Sequence, residues 1–123
     1  MFKNNQAFSG FSVDDIPTAK AFYRDVLGLD VEEVNGMLHL GIANGSQVLV
    51  YPKPNHTPAS YTVLNFPVDD VEQAVDALTQ AGVRFAVYEG MGQDAKGIMR
   101  GRGPEIAWFT DPAGNVMSVI QRD

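Results

Sequence analysis

Two stretches of the chain carry the same sequence of apolar and polar positions. Phe11-Ser12-Val13-Asp14-Asp15-Ile16-Pro17-Thr18-Ala19 is matched by Phe66-Pro67-Val68-Asp69-Asp70-Val71-Glu72-Gln73-Ala74, with a constant offset (11 to 66, 15 to 70, 19 to 74). In each, an alternating start predicts a strand, and apolar residues at three- and four-residue intervals then predict a helix. The helical positions are Ile16, Ala19, Phe22 and Val26 in the first copy, and Val71, Ala74, Leu78 and Ala81 in the second. Asp15 and Asp70 stand where a carboxylate accepts the unpaired amides of a first helical turn, and Gln73 offers a capping-box partner. Gly28 and Gly82 suit the left-handed position that ends a helix.

Strand and turn signals follow each helix. Leu38 to Ile42, the turn Asn44-Gly45 and Gln47 to Tyr51 predict a hairpin. A two-residue turn there sets His39 opposite Val50, on the other sheet face from Leu49. Ile106 to Phe109, the turn Asp111-Pro112-Ala113-Gly114 and Val116 to Gln121 predict a second hairpin. With a three-residue loop and a glycine bulge, Asp111 pairs with Asn115 and Trp108 with Ser118. Three prolines between Tyr51 and Tyr61 mark a linker. The expected organisation is one domain spanning 1–123, with a first module over about 6–53, a linker over 54–60 and a second module over about 61–123. A shared core is expected, because roughly 55 residues alone would be marginal.

Composition narrows the function classes. Hydrophobic residues make up 45% and charged residues 20% of the 123 positions, the balance of a folded globule. The absence of cysteine excludes disulfides, thiolate zinc sites and a cysteine nucleophile. A net charge of −6 argues against a nucleic-acid partner, since phosphate binding needs a basic surface. The same charge would suit a cationic ligand, although a solubilising surface is the commoner reason for it. The N-terminus has no apolar signal core and no run is long enough to span a membrane, so no membrane partner and a cytoplasmic location are expected.

Two further stretches carry a family likeness: Ala21-Phe22-Tyr23-Arg24-Asp25-Val26-Leu27-Gly28-Leu29 after Val13-Asp14-Asp15, and Trp108-Phe109-Thr110-Asp111-Pro112-Ala113-Gly114-Asn115. In these the chain resembles the vicinal-oxygen-chelate superfamily, which includes glyoxalase I, extradiol dioxygenases and bleomycin-resistance proteins. The resemblance implies an α+β fold, two βαβββ modules whose curled mixed sheets form a cup around a ligand or metal. It also implies pairing into a homodimer. The fold hosts isomerisation, ring cleavage, epoxide opening and drug sequestration, so it does not settle function.

Metal-dependent members place His, Gln or Glu on the first strand of each module and Glu on the last. Counted from Asp15, Asp70 and the Asp-Pro-x-Gly turn, those positions are Phe8, Val63 and Ser118, with Leu49 as the repeat partner of Ser118. None is an ionisable donor, so neither a metal nor another cofactor is expected. Two histidines remain. His56 falls in the linker and reads as a solvated loop residue, and His39 as packed or partly exposed on a strand. The Asp-Asp pairs read as helix caps and Asp111 as a turn residue.

Strand alternation sorts the remaining side chains. Phe11, Val13, Leu64, Phe66 and Val68 should pack under the helices. The cup face should then carry Phe8, Ser12, Leu49, Tyr51, Val63, Asn65, Trp108 and Ser118, an aromatic and aliphatic pocket with a few hydrogen-bonding groups. The stretch from Glu89 to Glu105, with five glycines, three cations and two methionines, reads either as a lid bringing Arg100 or Arg102 to an anionic or carbonyl group of a ligand or as a plain excursion between strands. The expected function is metal-independent binding of a small aromatic or cationic molecule. The alternative is a glyoxalase-like lyase, isomerase or dioxygenase, metal-dependent with atypical ligands or metal-free.

Overall fold

The computed structural model describes residues 1–43 and 45–123. The chain forms two compact units, 1–56 and 57–123, which divide inside the proline-rich segment. The first contains β1 (Ser9–Val13), α1 (Ile16–Ala21), β2 (Asp30–Val34), β3 (Met37–Gly41) and β4 (Gln47–Pro52). Its sheet has the order β1-β4-β3-β2, with β1 parallel to β4 and the other pairs antiparallel. The second contains β5 (Thr62–Val68), α2 (Val71–Gln80), β6 (Ile106–Thr110) and β7 (Val116–Gln121), in the order β5-β7-β6. Again the first and last strands run parallel and the hairpin partner antiparallel. Each unit is thus a strand, a helix and a returning hairpin, the repeat legible in the sequence.

One face of the first sheet is a continuous apolar layer. Phe11 and Val13 of β1, Leu38 and Leu40 of β3, and Val48 and Val50 of β4 are all buried, together with Ile16 and Ala19 of α1. Burial of each such large aliphatic or aromatic side chain contributes about 1.5–3 kcal/mol. The helix opens as expected, with the Asp15 carboxylate accepting the Thr18 amide at 3.1 Å. It does not continue as an α-helix. Residues Phe22–Val26 form a π-helical turn, closed by the Leu27 amide on the Phe22 carbonyl at 3.0 Å. Tyr23, in line with Ile16 and Ala19 at helical spacing, is the fully buried aromatic here in place of the expected Phe22, and its ring lies 6.1 Å from that of Phe11.

β2 and β3 join through Asn35 and Gly36, both at positive φ (54° and 76°), a two-residue hairpin loop between the paired Val34 and Met37. The β3–β4 connection corrects the sequence reading. Asn44, half of the expected Asn44-Gly45 turn, lies outside the described residues. The flanking register is clear: Gly41 pairs with Gln47, and the Ile42 amide reaches the Ser46 carbonyl at 2.9 Å. The connection is therefore one residue longer than a two-residue turn, and it moves His39 from Val50 to Leu49.

In the second unit the Asp70 carboxylate caps α2 through the Gln73 amide at 3.0 Å, and Val71 and Val75 are buried beneath it. Phe109 is 1% exposed, its ring between Phe66 at 6.5 Å and Phe85 at 5.5 Å. The β6–β7 turn follows the expected bulged register. Asp111 accepts from the amides of Ala113 and Asn115 and from the Asn115 side chain, and Gly114 takes a φ of 87°. Trp108 accordingly pairs with Ser118.

Candidate functional site

The face of the first sheet opposite α1 is laid out in rows by strand register. Glu32, His39, Leu49 and Gly10 stand side by side across β2, β3, β4 and β1. Directly paired residues project from the same side of a sheet, so His39 and Leu49 share this face. The neighbouring row holds Asp30, Gly41 and Gln47. On the other side Ser12 pairs with Tyr51. Gly10 is bare for a steric reason: a β-carbon there would lie 3.1 Å from the Leu49 carbonyl oxygen.

A cleft of about 490 Å³ opens on this face, lined by Gln6, Ala7, Phe8, His39, Gly45, Ser46, Gln47 and Leu49. Phe8 stands just before β1 and is 69% exposed. His39 Nδ1 lies 3.1 Å from Gln47 Oε1. Of the expected site residues, Phe8 and Leu49 therefore meet in one cleft. The sequence reading missed His39 and Gln47, because a one-residue difference in turn length reverses a face.

The remaining expected residues fall into three places. Ser12 and Tyr51 share a row, and Ser12 Oγ lies 2.6 Å from His56 Nδ1. His56 is therefore a half-buried partner of β1, not the solvated loop residue expected. In the second unit Asn65, Ser118 and Trp108 form one row. Ser118 is fully buried and donates to Asn65 Oδ1. The Trp108 indole donates to Thr62 Oγ1 at 3.1 Å and meets Tyr88 edge-on at 6.0 Å. A register shift between Thr62 and Leu64 brings Thr62 onto the Trp108 face and leaves Val63 inside the irregularity, whereas simple alternation placed Val63 there.

Arg100 is engaged elsewhere. Its guanidinium contacts the carboxylate of Asp94, that of Glu72 at 2.9 Å and that of Glu105 at 3.5 Å. Lys96 joins the same network through Glu72 at 3.2 Å and Asp76 at 2.9 Å. Hydrogen bonding to Asp94 raises the Arg100 pKa, and hydrogen bonding to Asp76 and Glu72 raises that of Lys96. Burial pushes the Asp94 carboxyl up, but bonds from the Ile98 amide, Arg100 and the Lys96 amide more than offset it, leaving the pKa below the ordinary value. With Ile98 buried and Gln93 bonded to Tyr88, Ala86 and Gly97, the 93–105 stretch is fastened to α2, and Arg100 is committed to carboxylates where the lid reading gave it to a ligand.

The donor set does not fit the metal of the metal-dependent relatives. Phe8, Leu49 and Val63 offer only carbon, and the Ser118 hydroxyl is spent on Asn65. Among the described residues no three His, Cys, Asp or Glu side chains converge on a point. His39 brings one nitrogen to the cleft, beside an amide.

The family model of the Glyoxalase/Bleomycin resistance protein/Dioxygenase superfamily matches residues 7–119, and the chain belongs to that superfamily. No curated protein matches it significantly. Among solved structures it is similar to TnmS3, an antibiotic binding protein from Streptomyces sp. CB03234 (22% identity, 94% of this chain and 93% of that one, TM-score 0.67). It is also similar to a bleomycin resistance determinant encoded on the transposon Tn5 (20% identity, 98% and 99% coverage, TM-score 0.70). A glyoxalase family protein from Enterococcus faecalis aligns at 18% identity over 98% and 100% of the two chains, with a TM-score of 0.69. These likenesses show the shared α+β glyoxalase/bleomycin-resistance fold. Among the described residues no helix is long and apolar enough to cross a membrane.

Proposed function

We propose that this chain is a metal-independent small-molecule-binding protein, built as one glyoxalase-like domain and acting as a homodimer. The observation that carries the reading is the cleft beside Phe8 and Leu49. Where metal-dependent relatives would present donors, it offers an aromatic ring and an aliphatic wall, with His39, Gln47 and Gln6 as polar groups. Its volume, about 490 Å³, lies within the range of small-molecule sites. Two proteins of the same fold are described as antibiotic-binding and as a bleomycin resistance determinant, which supports sequestration over catalysis. Asp30 and Glu32, in the same rows as Gln47 and His39, with a net charge of −6, favour a flat aromatic ligand bearing a cationic group. Pairing is proposed because β2 ends its sheet as an unpaired edge.

The test is calorimetric titration with a panel of aromatic and cationic antibiotics, alongside native mass spectrometry of the purified protein. A binder of micromolar affinity is expected. Phe8→Ala should weaken it by about 1–3 kcal/mol, the size of a lost aromatic anchor. Stoichiometric transition metal in the native spectrum, or indifference of every binder to Phe8→Ala and Leu49→Lys, would defeat the reading.

A further inference from the structure

The cleft contains a single titratable side chain, and its hydrogen bond decides what it offers a ligand. His39 Nδ1 lies 3.1 Å from Gln47 Oε1, and both residues line the cleft. A carbonyl oxygen can only accept, so Nδ1 must carry the proton. Neutral imidazole has one such proton, which leaves Nε2 with its lone pair. Free histidine favours the opposite arrangement, so the Gln47 contact works against the intrinsic preference. We propose that Gln47 holds His39 as the Nδ1–H tautomer and that Nε2 is a hydrogen-bond acceptor in the cleft, favouring aromatic ligands that carry a hydroxyl or N–H donor. This rests on the cleft being the binding site, and adds to it the polarity of the group recognised there.

The neighbours of His39 are consistent with this role. The apolar lining around it is Phe8, Leu49 and Ala7, and the other side-chain polar groups are the Gln6 and Gln47 amides and the Ser46 hydroxyl. The charged groups facing it all come from β2: Glu32, its direct partner, and Asp30 one row away. β4 contributes Gln47 and Leu49, and the segment before β1 contributes Gln6 and Phe8, none of them charged. Protonation of the ring would turn Nε2 from acceptor into donor and reverse the preference.

Two measurements test this. The first is long-range proton–nitrogen NMR on protein labelled with nitrogen-15 histidine, with His56→Gln to assign the two rings. In the neutral ring, Nδ1 of His39 should appear protonated and Nε2 bare, and Gln47→Leu should shift the ring toward Nε2–H. An Nε2–H ring in the unaltered protein overturns the inference, whatever binds. The second compares 1-naphthol with 1-methoxynaphthalene, in which a methyl ether replaces the hydroxyl donor. Naphthol should bind roughly tenfold tighter, the worth of one hydrogen bond, and the advantage should vanish in Gln47→Leu. Equal affinities overturn the inference. If neither compound binds while the tautomer is as stated, the cleft is not the site and the functional reading on which the inference rests falls with it.

Discussion

The indole of Trp108 donates to the hydroxyl of Thr62 at 3.1 Å, joining β6 to the start of β5 over a separation of 46 residues. The strand between them, β7, presents Ser118 opposite Trp108 and Val116 opposite Thr62. Removal of either partner leaves the other half-satisfied, which costs about 0.5–1.5 kcal/mol. Trp108→Phe and Thr62→Val are each expected to lower stability by that amount in urea denaturation. The double variant should lose less than the sum, because the two losses describe one bond.

Phe109 is the neighbour of Trp108 on the opposite face, and its ring is closed in by Phe66 and Phe85. Phe109→Ala should cost about 3–5 kcal/mol by the same denaturation assay, the range for a buried phenylalanine. If Trp108→Ala proved the more damaging of the pair, the assignment of faces in the second sheet would be reversed.

Asp111 is 3% exposed and accepts three hydrogen bonds within its own turn. Asp111→Ala should therefore cost about 2–4 kcal/mol, since two amides and the buried Asn115 side chain lose their acceptor together. Asn at this position keeps one acceptor oxygen and should recover part of the loss.

Acid should loosen the 93–105 stretch before it unfolds the sheets. Asp94 has a lowered pKa in the folded chain, so its stabilising effect is complete above the ordinary carboxylate value and fades as pH falls through the folded one. Between about pH 5 and pH 2, the protection from exchange of the Lys96 and Ile98 amides, whose N–H groups bind Asp94 at 2.9 Å, should fall ahead of that of the strand amides. Asp94→Asn should abolish that acid step. Lys96 works in the other direction: its raised pKa keeps its contacts with Glu72 and Asp76 intact until strongly alkaline pH.

Much of this fold was legible in the repeated strand–helix pattern, because each copy carries its own cap, apolar stripe and closing glycine. Asp15, Asp70, Gly28 and Gly82 all occupy the places that local chemistry assigns them. The β6–β7 register was legible too, since Asp111 and Gly114 specify one loop length. The site was less so. Its face depends on parity, and one residue in the β3–β4 connection decides whether His39 looks toward the cleft or the core. The Asn35-Gly36 dipeptide between Val34 and Met37 was a readable signal for the β2–β3 hairpin. Had it been used, it would have predicted the strand that brings Glu32 beside His39. The π-helical turn at Phe22–Val26 and the irregularity at Val63 left no pattern of their own, since both add a residue without changing composition. Arg100 shows a different limit: a cation in a glycine-rich stretch gives no hint that three carboxylates await it.

Gly10 bears on how a cleft of this kind could diversify. Side chains around the opening, Phe8, His39 and Gln47, project from the sheet and can be exchanged one at a time without parting any strands. Gly10 is different, because a β-carbon there would meet the Leu49 main-chain oxygen at 3.1 Å. A larger residue at Gly10 would need the β1–β4 contact to give by a few tenths of an ångström. New ligand preferences in descendants of this chain should therefore arise by turnover at the rim, while the Gly10–Leu49 contact is inherited unchanged.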